Sequence, residues 1–170
     1  LTRGAVYIVR NPLDVCVSLA NFWKWDIDTT IGGIAAADFH SFATENIVVE
    51  HIGDWSQHVR SWTSQSNAGF LVLRYEDLLL DPETSFGALA AYLEGDQPVS
   101  RERIGKATEL SSFEVLQKQE GTSGFRESGN EQQFFRTGRA DSWQSALNSK
   151  QVDRIVNHHR EQMEKFGYLP

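Results

Sequence analysis

The chain has 170 residues, 40% hydrophobic and 23% charged, which suits one domain with a real core. Its net charge of -7 argues against sequence-independent nucleic-acid binding, so any anion site must gather its positive charge locally. The single cysteine, Cys16, excludes an internal disulfide framework and fits a reducing compartment, and no apolar run of about 18 residues is present to span a membrane.

The chain opens "LTRGAVYIVR", without a methionine, and enters a strand almost at once. That start leads us to expect a longer protein with strands upstream. "GAVYIVR" is a short β-rich apolar run, read as a buried strand. Asn11 then suits an N-cap, Pro12 the first helical position, and Asp14 the positive helix start. Val15, Leu19, Phe22 and Trp23 predict one apolar stripe along this helix. Residues 25–38 are read as a loop and residues 39–65 as one long helix, with His51 and His58 on one of its faces.

"GFLVLRY" predicts the second strand, ending at Tyr75, with Glu76 and Asp77 in the following loop. "DPETSFGALAAYLEG" is a complete helix, capped by Asp81, started by Pro82 and stopped by Gly95. "SSFEVLQKQ" shows a Ser-x-x-Glu capping box from Ser111 to Glu114. Residues 121–135 are expected to be irregular. A last helix is expected over 149–166, ending at Gly167, with His159 packed in its apolar stripe. Strand-helix alternation implies a parallel α/β sheet.

Three stretches could carry chemistry. Arg10 ends a strand just before a helix N-terminus, the usual ligand edge of such sheets, and Ser18 returns to the same side two turns later. Arginine, helix amides and a hydroxyl would then meet one phosphate; alternatively Arg10 pairs with a carboxylate and Ser18 merely packs. Tyr75, at the same sheet edge, suits stacking on a base or a place at the core rim. "FLVLRYED" would also pass as the acidic strand of a metal-dependent nucleotide hydrolase. "QQFFRTGRADSW" sets Arg136 and Arg139 around Gly138, which suits an oxyanion loop or a loop with a hydrophobic anchor. No metal-ligand spacing appears among the five histidines, and no Gly-rich loop ending in Lys-Ser/Thr is present.

Taken together, the motifs resemble the cytosolic-type sulfotransferases, over about Ala5 to Pro170. That family has a P-loop-kinase-like fold, a parallel sheet with flanking helices, and uses 3'-phosphoadenosine 5'-phosphosulfate (PAPS), leaving PAP. "YIVRNPLDVCVSLANFW" is similar to its 3'-phosphate motif, which implies phosphate contacts from Arg10 and Ser18. Tyr75 matches the adenine-contacting tyrosine. "ELSSFEVL" is similar to the segment that holds the adenine, implying roles for Ser111, Phe113 and Leu116. "FFRTGRADSW" resembles the closing Arg-Lys-Gly motif, implying roles for Phe135, Arg136, Thr137 and Gly138.

Thr137 stands where that motif has lysine, and Asp141 follows Ala140 where the pattern has Gly-Asp. "QSALNSKQVD" lacks the family's dimerisation residues, so that dimer is not expected. The family's Lys-containing loop for the 5'-phosphosulfate and its catalytic histidine both precede the "YIVRNP" strand. The resemblance therefore implies the C-terminal part of a single domain, residues 1–170, with no catalytic residue of its own. The implied activity is sulfuryl transfer from PAPS, without a metal, to a hydroxyl or amine of a small-molecule, carbohydrate, lipid or peptide acceptor. A cytoplasmic location is implied, with no membrane or nucleic-acid partner. Trp23, Trp25 and Phe39 suit either an apolar acceptor wall or core. The competing expectations are a P-loop kinase-like phosphotransferase and a non-catalytic nucleotide-binding or scaffold fragment.

Overall fold

A computed structural model describes residues 4–40, 48–64, 69–95, 99–124 and 133–170. Two strands and a series of helices follow one another: β1 (Ala5–Val9), α1 (Pro12–Trp23), α2 (Ile27–Ile34), α3 (Trp55–Thr63), β2 (Phe70–Arg74), α4 (Tyr75–Leu80), α5 (Pro82–Glu94), α6 (Arg101–Leu110), α7 (Phe113–Ser123), α8 (Trp143–Ala146) and α9 (Ser149–Lys165). Among the described residues β1 and β2 form a small parallel sheet. The chain divides into two compact units, Leu1–Val72 with Asp141–Pro170, and Leu73–Ala140.

The first unit holds the apolar core. Val9, Leu13, Cys16, Ile31, Ile34, Val59, Ile155, Val156, Met163 and Tyr168 are buried together. The Tyr168 hydroxyl donates to the Val9 carbonyl at 3.2 Å, tying the chain after α9 to the end of β1. Helix α9 forms as expected: Asn148 and Gln151 exchange a reciprocal cap, and Gly167 turns the chain with φ of 69°.

Four expectations fail in this unit. The buried face of α1 is Leu13, Cys16 and Ala20, while Phe22 is exposed, so the stripe lies about a third of a turn from the expected one. The supposed loop over 25–38 contains α2. Its Asp26 side chain accepts the Thr29 N–H, and Ile27, Ile31 and Ile34 recur at helical spacing that Gly32 and Gly33 mask. Within the described part of 39–65, helix is confined to α3. Asp54 and Gln57 form a capping box there, and Gly53 precedes it with φ of 70°. His51 therefore shares no helix face with His58; it bridges His40 instead. Residues 41–47 of that expected helix lie outside the described residues.

In the second unit α4 packs on α5, α5 on α6, and α6 on α7. Helices α4, α6 and α7 bury no residue fully, so the unit packs through half-buried side chains. Strand β2 stops at Arg74, and Tyr75 opens α4 where a loop was expected. Arg74 Nη1 meets Asp77 at 3.5 Å across that first turn. Helix α5 has the expected Asp81 cap, Pro82 start and Gly95 stop. The capping box expected from Ser111 to Glu114 does not form, because the helix starts one residue later. Ser112 caps α7, its hydroxyl accepting the Val115 N–H, while Ser111 closes α6 and donates to the Ala107 carbonyl at 2.7 Å. Helix α7 runs on to Ser123, into the segment expected to be irregular, and Gly124 ends it. Residues 125–132 of that segment lie outside the described residues.

Candidate functional site

The strand-to-helix turn of the first unit carries Arg10 and Ser18. Arg10 is half-buried just past β1, and Ser18 is exposed on α1. Asn11 Oδ1 accepts the Leu13 N–H at 3.0 Å and the Asn11 carbonyl accepts the Val15 N–H at 2.9 Å. Pro12 has no N–H to give. The Asn11 side chain thus occupies the Leu13 N–H, one of the donors expected at this helix start.

Asp14 does more than favour the helix start. It is 1% exposed. Its carboxylate accepts the N–H of Asp141 at 2.8 Å and of Trp143 at 3.1 Å. Burial pushes its carboxyl above the usual carboxylate range, while these two N–H groups and the nearby Arg10 guanidinium pull it down. Asp141 has φ of 62°, a left-handed position held by a non-glycine residue. Asp14 therefore anchors the chain that follows the closing motif. In the sequence Asp14 shows only as a helix-start acid, because its partners lie 127 and 129 residues away.

In the second unit α7 gathers three of the expected site residues. The Phe113 and Phe135 rings meet edge to face, 6.3 Å between centroids. Gly138 has φ of 57° and lies so close to Phe113 that a Cβ would overlap its ring. Any other residue there would be strained both by conformation and by contact. Arg136 and Thr137 are exposed beside it, and Leu116 is half-buried on α7. Tyr75 is half-buried at the start of α4, and Ser111 is exposed, its hydroxyl proton directed to α6.

Two further residues hold this loop. The Glu120 carboxylate accepts the backbone N–H groups of Phe134 and Phe135, the second at 2.9 Å. Gln117 Nε2 donates to the Phe135 carbonyl at 2.9 Å. The N–H and the carbonyl of Phe135 are thus both engaged by α7 side chains. Gln117 and Glu120 follow Phe113 by four and seven positions, a single helix face, but nothing local in the sequence points to their targets.

Other groupings lie elsewhere in the first unit. Trp23, Trp25 and Phe39 form a half-buried aromatic cluster, with centroids 4.9 to 6.5 Å apart. Tyr7 hydrogen-bonds His58 Nδ1 at 3.0 Å and stacks on Trp62. Burial pushes the Cys16 thiol up to about 12, so it is not a ready nucleophile. The fold brings Asp54, His158 and His159 within 4.8 Å of one another, a grouping that spacing alone does not reveal. Two of these groups already have structural work: Asp54 caps α3, and His159 Nδ1 bonds Ser56 Oγ at 2.9 Å.

The sulfotransferase domain model matches residues 5–167. Sulfotransferase 2A1 of Mus musculus is 27% identical over 98% of this chain and 59% of that protein. Cytosolic sulfotransferase 10 of Arabidopsis thaliana is 31% identical over 88% of this chain and 46% of that protein. The solved structure of mouse sulfotransferase SULT7A1 complexed with PAP aligns with a TM-score of 0.72 at 21% identity, over 95% of this chain and 58% of that one. That likeness shows a shared fold. The chain spans about three fifths of the length of the first curated relatives. Its strand-end arginine, its capped α1 and the loop seated on Phe113 lie inside the matched span, and the chain belongs to the sulfotransferase domain family.

Proposed function

We propose that the protein carrying this chain is a cytoplasmic sulfotransferase that moves a sulfuryl group from PAPS to a hydroxyl or amine, and that this chain supplies the 3'-phosphate and adenine contacts. The observation that carries the reading is the seating of Gly138 against Phe113. It brings an adenine-segment aromatic, the Phe135 ring and the cationic Arg136 into one neighbourhood. Aromatic faces and a guanidinium suit a nucleoside phosphate.

Arg10 and Ser18 take the 3'-phosphate on the first unit. Tyr75, Ser111, Phe113 and Leu116 contact the adenosine, and Phe135, Arg136, Thr137 and Gly138 close over it. For Phe135 the contact is its ring. The donor brings an activated sulfuryl group: a bond forms from the acceptor oxygen or nitrogen to sulfur, the bond from sulfur to the 5'-phosphate oxygen breaks, and PAP leaves with that electron pair. The acceptor proton goes to a general base, which in this reading lies upstream of Leu1 along with the loop that holds the 5'-phosphosulfate. By analogy with phosphoryl transfer, positioning and charge stabilisation dominate such a reaction. The Trp23, Trp25 and Phe39 cluster suits the wall of an apolar small-molecule acceptor site.

The test is a radiolabelled PAPS assay with phenolic and alcoholic acceptors. It compares the product of the complete coding sequence with residues 1–170 alone. The expected result is turnover by the former only, since loss of a general base alone costs about 10²–10⁴-fold. Turnover by residues 1–170 would overturn the division of labour, and no turnover or PAP binding by either protein would overturn the reading.

A further inference from the structure

We propose that Glu120 is a positioning residue of the donor site, a carboxylate that sets the register of the closing loop by holding two consecutive backbone N–H groups. The inference rests on reading residues 135–138 as donor-contacting. Three residues on one face of α7 act on that loop. Phe113 supplies the ring on which Phe135 and Gly138 rest. Gln117 holds the Phe135 carbonyl. Glu120 holds the N–H groups of Phe134 and Phe135, one on each carboxylate oxygen.

These contacts fix the backbone immediately before Arg136. From there Arg136 and Thr137 lie exposed, and Gly138 comes down on Phe113. A backbone N–H that binds a carboxylate is not available to a phosphate. Glu120 therefore confines the loop's anion contacts to positions after Phe135. Slipping the loop by one residue would place a side chain where only Gly138 fits, so the clasp and the glycine enforce the same register.

The experiment uses the product of the complete coding sequence and compares wild type with Glu120→Ala and Glu120→Gln. Amide hydrogen exchange at Phe134 and Phe135 and PAP affinity by calorimetry are read on each, with the KM values for PAPS and acceptor beside them. Wild type should protect both amides. Glu120→Ala should lose that protection and bind PAP about tenfold more weakly, the scale of one hydrogen bond to a charged group. Its KM for PAPS should rise by a similar factor with the acceptor KM unchanged, a split that general destabilisation would not give. Glu120→Gln keeps one acceptor oxygen and should fall between the two, and it carries the test if the alanine variant does not fold. PAP binding by wild type with equal affinity in Glu120→Ala, or in Glu120→Gln where only that variant folds, would overturn the proposal while leaving the donor-site reading intact. Failure of wild type to bind PAP would overturn both.

Discussion

His159 is the residue at which acid should act on the first unit. It is 1% exposed on α9, and burial, helped by the charge of neighbouring His158, pushes its pKa down to about 4. An unfolded histidine titrates near pH 6.5. The folded value is the lower one, so the stabilisation is fully present above pH 6.5 and drains away as pH falls toward 4. At about 1.4 kcal/mol per pH unit, that gap corresponds to something on the order of 3 kcal/mol. Denaturant melts across this window should show a falling midpoint, and His159→Gln should flatten the fall; an unchanged slope would contradict the assignment. Gly138 makes a second prediction at this scale. Gly138→Ala combines φ of 57° with overlap of the Phe113 ring. It should destabilise the loop by roughly 1–3 kcal/mol, the range of a strained backbone position, and lower PAP affinity with it. Retained affinity would mean that the loop does not depend on this seat.

Among the elements, those legible in the sequence are the ones whose signals are local. Asn11 with Pro12, Asp81 with Pro82, and the Gly95 and Gly167 stops each place a helix end by chemistry confined to a few residues. Helix α2 escaped because Gly32 and Gly33 read as loop chemistry although Asp26 caps the helix and three isoleucines define its inner face. The start of α3 escaped because its upstream periodicity continues through residues that the Asp54 cap excludes from the helix. At the candidate site, Arg10, Phe113 and Gly138 were visible as residue types in suggestive places. The clasps on the neighbouring backbone were not: Asp14 acts on N–H groups 127 and 129 residues on and Glu120 on N–H groups 14 and 15 residues on, and backbone groups leave no mark on sequence. The closing loop also carries a departure open to test. Thr137 is exposed where the family motif has lysine. Thr137→Lys should tighten PAP binding and steepen its dependence on salt, as an added exposed charge would. A neutral or weaker result would mean that Arg139 already fills the role, or that the loop contacts the donor elsewhere.

At the scale of the whole molecule, two features bear on the proposed activity. Strand β1 buries Val9 against the core, yet Ile8 on its other face is 53% exposed and Val6 is 36% exposed. An apolar sheet face of this kind suits cover by further chain, and residues 1–170 expressed alone should be prone to association. The 3'-phosphate end of the donor reading is proposed for Arg10, which stands where β1 gives way to α1 and has Asp14 one turn away. The most direct test is a calorimetric titration of PAP against the product of the complete coding sequence, wild type and Arg10→Ala. The expectation is saturable binding by wild type and a loss of roughly 1.5–3 kcal/mol in the variant, the range for a hydrogen bond to a charged group. Equal affinities in two folded proteins would remove Arg10 from the site, and no binding by wild type would contradict the account as a whole.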